Sequence, residues 1–142
     1  MKKLLIVLAL FTAIVGCGDS AEKAADKIND AGNEANVLSE RGAKTYVEAA
    51  YAGTPEKMSL TEMELVRAKY MSAKSDLLAA KNKYQKALDL AKENKDQVKT
   101  HGKDSVYARM ADIDKIVKDI DGKVEKIDSL IERKIRRQRD AS

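Results

Sequence analysis

The strongest pattern along the chain is a row of apolar residues that recurs at alternating intervals of three and four. The row continues to Asn94 and Val98, and its apolar members are Met63, Val66, Tyr70, Ala73, Leu77, Ala80, Tyr84, Ala87 and Ala91. A mean spacing of 3.5 residues places these side chains on one side of a helix, as in a coiled coil. We therefore predict a helix over about residues 55–100, with both tyrosines of the row in the core.

A second row with the same spacing follows, and most of its residues are β-branched: Val106, Met110, Ile113, Val117, Ile120, Val124, Ile127 and Ile131. If the first row continued at the same spacing, its positions would fall one residue away from those of the second row. The two rows therefore indicate two separate helices. Gly102 suits the position just after a helix, where the backbone is left-handed, and Asp104 or Ser105 suits the N-cap of the next helix. We predict a tight turn there and a helix over about residues 105–138, antiparallel to its neighbour.

An upstream row keeps the period with smaller side chains: Ala24, Ile28, Ala31, Ala35, Leu38, Gly42, Thr45 and Ala49. It predicts a helix over about residues 23–51, whose small residues would allow close approach to a neighbour. Gly53 ends this helix, and Thr54 and Pro55 suit the N-cap and first position of the next.

The fold class that follows is all-α. If only the last two helices pack, the fold is an elongated antiparallel helical hairpin. If the first helix joins them, it is a three-helix bundle with coiled-coil packing. Parallel homo-oligomers formed through the same apolar rows are a further alternative.

Composition agrees with helices and argues against nucleic acid as a partner. The 142 residues include no Trp, one Phe and one Pro, and 35% are charged. The formal net charge of +4 includes Lys2 and Lys3, and without these two it falls to +2. We predict one helical domain over residues 23–142 and no binding of nucleic acid.

The N-terminus has the features of an export signal. Lys2 and Lys3 precede an uncharged apolar run, residues 4–15, which is shorter than the roughly 20 residues of a membrane-spanning helix. The run leads into Ile14-Val15-Gly16-Cys17, and Cys17 is the only cysteine. This arrangement resembles the lipobox of bacterial lipoproteins.

The resemblance implies that residues 1–16 are a signal peptide and that the sulfur of Cys17 carries the lipid. Residues 17–22 would then be the lipidated N-terminus and linker, and acyl chains would hold the protein on a membrane of the cell envelope. In enteric-type Gram-negative bacteria, Asp directly after the lipidated cysteine favours the inner membrane. Gly18 stands there, so the outer membrane, facing the periplasm, is expected. In a Gram-positive host the only membrane would carry the anchor.

The residues give no basis for an enzyme, a metal site or a cofactor. His101 is the only histidine and lies in the predicted turn, Cys17 is the predicted acylation site, and a Gly-rich phosphate loop is absent. Residues 119–124 resemble the middle of an EF-hand loop, but Val117 and Asp128 stand at ligand positions where they do not fit. We predict no catalytic residues and no metal ligands.

The C-terminal end of the last predicted helix carries a cluster of cations, here called the basic tip: Arg133, Lys134, Arg136, Arg137 and Arg139. One interpretation is a hydrated helix end whose cations offset the helix dipole. The other is contact with an anionic envelope surface, namely peptidoglycan, phospholipid headgroups or an acidic protein.

Residues 64–95 also resemble the Ala-rich helical domain of small envelope lipoproteins of unknown function. The residues that carry this likeness are Ala68, Ala73, Ala80, Tyr84, Ala87, Leu90 and Ala91. The leading hypothesis is a lipid-anchored structural or protein-interaction module. The alternatives are an exclusion or inhibitor-type lipoprotein that blocks an envelope protein or secreted effector, and an accessory subunit of an export, adhesion or lysis apparatus.

Overall fold

The computed structural model describes residues 11–15 and 18–141 of the chain, with Val15 described by its backbone alone. Three α-helices dominate it: α1 (Asp19–Ala50), α2 (Leu60–Glu93) and α3 (Lys103–Asp140). Helix α2 packs against both α1 and α3. The all-α fold class is confirmed, and of the two predicted architectures the chain adopts the three-helix bundle.

A short antiparallel ribbon that the apolar rows did not predict completes the fold. Strand β1 (Thr12–Val15) pairs with strand β2 (Val98–His101), in the register that sets Ala13 opposite Thr100. The ribbon lies at the end of the bundle where α1 begins, and there the Ser20 hydroxyl is 3.4 Å from Oε1 of Gln97.

The predicted row on α2 forms the centre of the core. All nine of its apolar residues, from Met63 to Ala91, are buried, and Tyr84 is completely inaccessible to solvent. On α3, Val106, Ile113, Ile120 and Ile127 are buried, whereas the other four members of the row are half-buried. The prediction that Tyr70 and Tyr84 belong to the core is therefore confirmed.

Helices α1 and α2 pack unusually closely because the residues between them are small. A Cβ atom added at Gly42 would lie 2.8 Å from Cγ of Leu77 and 3.1 Å from the carbonyl oxygen of Ala73. Both distances are shorter than normal van der Waals contact, and Leu77 is fully buried and has no room to move. Only glycine permits this separation of the two helices.

Ion pairs spaced one heptad apart join α2 to α3. They link Arg67 to Asp128, Lys74 to Asp121 and Lys81 to Asp114, with N···O distances of 2.5, 2.6 and 2.6 Å. The basic residues advance by seven along α2 while the acidic residues retreat by seven along α3, as antiparallel helices require. The pairs thus match a single register of the two helices.

A similar arrangement joins α1 to α2. Arg41 donates two hydrogen bonds to the carboxylate of Asp76, with Nε 2.7 Å from Oδ2. One heptad away, Lys83 pairs with Glu34, and this contact holds the pKa of Glu34 below its usual value. Each of the two interfaces of α2 therefore has its own ladder of ion pairs.

The start of α2 differs from the prediction. Pro55 opens a single 3₁₀ turn (Pro55–Lys57), with Thr54 at its N-cap, and the α-helix begins only at Leu60. Ser59 caps the helix: its hydroxyl accepts from the Glu62 N–H, while Glu62 accepts from the Ser59 N–H. Because the helix starts at Leu60, these two backbone N–H groups have no acceptor within the helix, and the capping box satisfies both.

The end of α2 also differs. The helix ends at Glu93 rather than near residue 100, and the Asn94 side chain donates to the Leu90 carbonyl oxygen at 2.8 Å. Val98 is buried as the row predicted, but it lies in β2. Gly102 is left-handed as predicted, with φ 84°, yet it precedes α3 instead of ending α2. Pairing with β1 gives Val98–His101 an extended alternative to helix.

The path of the chain places the basic tip at the end of the bundle opposite the ribbon. Helix α1 runs away from the ribbon, α2 returns, and α3 runs out again. At the far end, Lys134 donates to the carbonyl oxygen of Met58, and Lys126 pairs with Glu56. Because α1 has 32 residues, the two ends are separated by about 48 Å of helix.

Replacing Gly42 by Ala should destabilise the bundle by about 1 to 2 kcal/mol, because overpacking outweighs the roughly 1 kcal/mol gained in helix propensity. The matched control is Gly122→Ala, on the exposed side of α3, where an added Cβ meets nothing within 4 Å. That variant should gain up to about 1 kcal/mol. Urea unfolding followed by circular dichroism measures both. Equal effects of the two substitutions would contradict the close packing of α1 and α2.

Candidate interaction surfaces

Only the first half of the predicted lipobox lies in the described part of the chain. Ile14 and Val15 belong to β1, and the Ile14 side chain is 55% exposed. Gly16 and Cys17, the predicted lipidation site, lie outside the described residues. Residues 19–22, predicted as linker, form the first turn of α1. The bundle therefore begins two residues after Cys17.

The structure brings the basic tip together on the last two turns of α3. Arg133, Arg136, Arg137 and Arg139 are exposed, and within residues 18–141 none of the four forms an ion pair. Lys134 differs, because it is half-buried and donates to the Met58 carbonyl oxygen. Four guanidinium groups are thus available to an anionic surface, while Lys134 ties α3 to the turn before α2.

A shallow groove borders this tip. It has a volume of about 260 Å³ and is lined by Pro55 and Glu56 of the 3₁₀ turn and by residues of α2 and α3 that include Arg133 and Arg137. The carboxylate of Glu56 is paired with Lys126 at 2.6 Å, which lowers the pKa of Glu56. Arg133 and Arg137 therefore face a groove whose acidic group is already neutralised.

A second candidate surface is the side of α2 that faces away from both other helices. Leu65, Met71 and Leu78 lie on it and are 60%, 42% and 38% exposed. The exposed positions between them are occupied by small uncharged residues, namely Ala68, Ser72 and Ser75. In a chain that is 35% charged, such a stripe is unusual for a face that meets only water. Sequence reasoning missed it, although the absence of charge at helical spacing was a usable signal.

Two polar clusters inside the bundle connect all three helices. In the first, the central polar cluster, Tyr84 of α2 donates to Oδ1 of Asn36 at 2.6 Å, and Arg109 of α3 donates to the buried hydroxyl of Ser39 at 2.9 Å. Burial raises the pKa of Tyr84, although nearby Arg109 acts in the opposite direction. Within the described residues no buried side-chain nitrogen or oxygen lacks a partner.

The second cluster lies nearer the basic tip. Tyr46 of α1 donates to Oδ2 of Asp119 on α3 at 2.6 Å, and its ring centroid lies 6.1 Å from that of Tyr70 on α2. Burial, followed by the hydrogen bond to Asp119, raises the pKa of Tyr46. In both clusters a tyrosine hydroxyl donates a hydrogen bond to another helix, and in the second the Tyr46 and Tyr70 rings also pack together. These contacts fix the relative positions of the helices.

Residues 119–124, whose sequence resembles part of an EF-hand loop, form no loop and lie within the continuous helix α3. His101 is exposed on β2. Over residues 11–15 and 18–141, no three His, Cys, Asp or Glu side chains are grouped so that they could hold a metal ion. In the same part of the chain, no helix is both long and apolar enough to cross a membrane.

Comparisons of the chain with protein-family models, with curated proteins and with solved structures give no match.

Replacing Tyr84 by Phe should cost about 1 kcal/mol at pH 7, because the hydrogen bond to Asn36 is lost. Above pH 10 the raised pKa of Tyr84 has a further effect. The unfolded chain loses the tyrosine proton first, at about pH 10, so the stability of the native protein falls as the pH rises past that value. Tyr84→Phe lacks this contribution and should lose less stability between pH 9 and pH 11.

Urea unfolding at several pH values measures both effects. Tyr107→Phe is the control at pH 7, since the Tyr107 side chain is 56% exposed and its loss should leave stability unchanged. Identical pH profiles for wild type and Tyr84→Phe would show that Tyr84 is not protected as described.

Proposed function

We propose that this protein is a lipid-anchored envelope lipoprotein whose three-helix bundle acts as a structural and protein-interaction module. The anchor is the acylated sulfur of Cys17, the bundle sets a distance from the membrane, and the basic tip contacts an anionic envelope surface. In a Gram-negative host the anchor lies in the outer membrane and the bundle in the periplasm.

The observation that carries this proposal is that the start of α1 and the basic tip lie at opposite ends of one elongated bundle. Helix α1 begins two residues after Cys17, and the four exposed arginines of the tip lie at the far end of α3. Two or three acyl chains hold a protein on a membrane essentially permanently, whereas one chain holds it marginally. A permanent anchor at one end and a cationic surface about 48 Å away suit a spacer between two envelope layers.

The uncharged outer side of α2 supports the interaction part of the proposal. Leu65, Met71 and Leu78 would bury apolar surface against a partner that approaches the bundle from the side. Since α1 and α3 occupy the other sides of α2, this surface is accessible without any change in the bundle.

Replacing Cys17 by Ser should abolish lipidation, because the thioether needs the cysteine sulfur. In cells fed a palmitate analogue, the wild-type protein should incorporate label, lose residues 1–16 and fractionate with membranes. Cys17→Ser should remain uncleaved and unlabelled, as mass spectrometry and gel fluorescence would show.

A matched control keeps one thiol in the chain but moves it: Cys17→Ser combined with Ser20→Cys. Lipobox-directed modification requires cysteine at the fourth position of Ile14-Val15-Gly16-Cys17, so this double variant should also stay unlabelled. Labelling of the displaced cysteine, or normal cleavage of Cys17→Ser, would refute the anchor.

Neutralising the tip by changing Arg133, Arg136, Arg137 and Arg139 to Gln should remove its attraction to anionic surfaces. The lipidated protein, reconstituted in neutral phosphatidylcholine vesicles, should tether phosphatidylglycerol-containing vesicles, as measured by light scattering. Each basic residue near such a surface contributes about 1 kcal/mol, so the variant should tether at least tenfold less, and added salt should weaken the wild type. Purified peptidoglycan sacculi serve as a second target.

The control changes four exposed lysines that do not cluster, Lys44, Lys95, Lys103 and Lys118, to Gln. It removes the same charge from the chain, so its tethering should stay close to that of wild type. If both variants lose tethering equally, net charge and not the tip is responsible. If neither vesicles nor sacculi bind the wild type, the tip is only a hydrated helix end.

A further inference from the structure

The segment that precedes α1 occupies a groove on the side of the bundle. Phe11 is 6% exposed and lies against α1 at Gly32, where an added Cβ would be 3.7 Å from Cβ of Phe11. The residues that follow form β1 and pair in antiparallel fashion with β2. Two features thus hold the segment: a pocket for an aromatic ring and the edge of a strand.

The side chains of this segment alternate as expected for a strand on a surface. Phe11 is buried and Ala13 half-buried, whereas Thr12 and Ile14 are exposed. Oδ1 of Asn29, on α1, accepts a hydrogen bond from the backbone N–H of Ala13 at 2.9 Å. The groove therefore selects an extended backbone with an aromatic residue at one inward position and a small residue at the next.

Processing before Cys17, as proposed above, would remove every residue that now fills this groove. The Val98–His101 edge and the pocket beside Gly32 would then both be vacant. An unpaired strand edge next to an apolar pocket binds extended peptides by adding a strand, with backbone hydrogen bonds giving affinity and the pocket giving selectivity.

The mature chain has nothing of its own to place there. It would resume at Cys17 and enter α1 at Asp19, which leaves two residues and no strand. Phe11 is also the only phenylalanine of the chain, and the five tyrosines lie in helices or, for Tyr51, at the C-cap of α1. A second folded copy would therefore bring no aromatic residue in an extended segment. The occupant must be another polypeptide.

We infer that the mature lipoprotein binds an extended segment of a partner protein in this groove, antiparallel to β2, with an aromatic side chain in the pocket beside Gly32. The inference rests on the proposed processing. Residues 11–15 show which chemistry fits: an extended segment with an aromatic residue, then any residue, then a small residue.

The test uses a fluorescent peptide with capped ends that contains Phe-Thr-Ala-Ile-Val, and follows its anisotropy. The lipidated mature protein, purified from membranes in detergent, should bind it saturably. The uncleaved Cys17→Ser chain, whose groove is filled by its own leader, should bind this peptide at least about tenfold more weakly. The mature protein should also bind a peptide with Ala in place of Phe at least about tenfold more weakly.

Gly32→Leu should fill the pocket and abolish binding, whereas Gly122→Leu, on the open side of α3, should bind like wild type. Circular dichroism checks that both variants fold. Equal binding by the two variants, or no binding by the folded mature protein, would overturn the inference.

A last arm separates this inference from the proposed processing. In the uncleaved chain, Phe11→Ala loosens the leader without removing it, so the labelled peptide should bind more tightly than it does to Cys17→Ser alone. If mass spectrometry finds no cleavage but this variant binds, the groove is correct and the anchor is wrong. If cleavage occurs and no peptide binds, the anchor is correct and the inference about the groove is wrong.

Discussion

The close approach of α1 to α2 is the contact on which the rest of the molecule depends. At Gly42 the two helices come within a distance that no side chain would permit, and Leu77 of α2 fills the space directly opposite. Without this packing α1 would contribute little, because its row consists mostly of small residues and buries little apolar area by itself. With it, the chain forms three helices, and the third must end at the far side from the start of the first.

Packing of small residues gives proximity but does not determine alignment along the axis, since Ala rows can slide past one another. Charged residues determine this alignment. Three pairs join α2 to α3 and two join α1 to α2, each set one heptad apart. Exposed pairs contribute little stability singly, yet a shift by one heptad would leave unmatched charges at the ends of both sets. The Asn36–Tyr84 and Ser39–Arg109 contacts add the same constraint inside the core.

The sequence was sufficient for the helices and the buried face of α2, because period 3.5 is a property of the chain itself. It predicted the left-handed backbone of Gly102 but not the end of α2, since Val98 would be buried in either helix or strand and the apolar spacing alone does not decide between them. The start of α2 could have been predicted from the sequence, because Ser59 and Glu62 have the spacing of a capping box. The basic tip was predictable as a cluster, but the role of Lys134 in holding the Met58 turn was not, because that contact joins residues far apart in sequence.

The up-down-up path also determines how the bundle meets a mechanical load. A pull applied between the start of α1 and the end of α3 acts along the helix axes and in opposite senses. It therefore shears α1 past α2 and α2 past α3, so that the core contacts and the ion pairs of each interface bear the force together. A hairpin pulled from its two neighbouring ends would instead unzip one contact at a time. The three-helix path therefore resists extension between these two ends better than such a hairpin would.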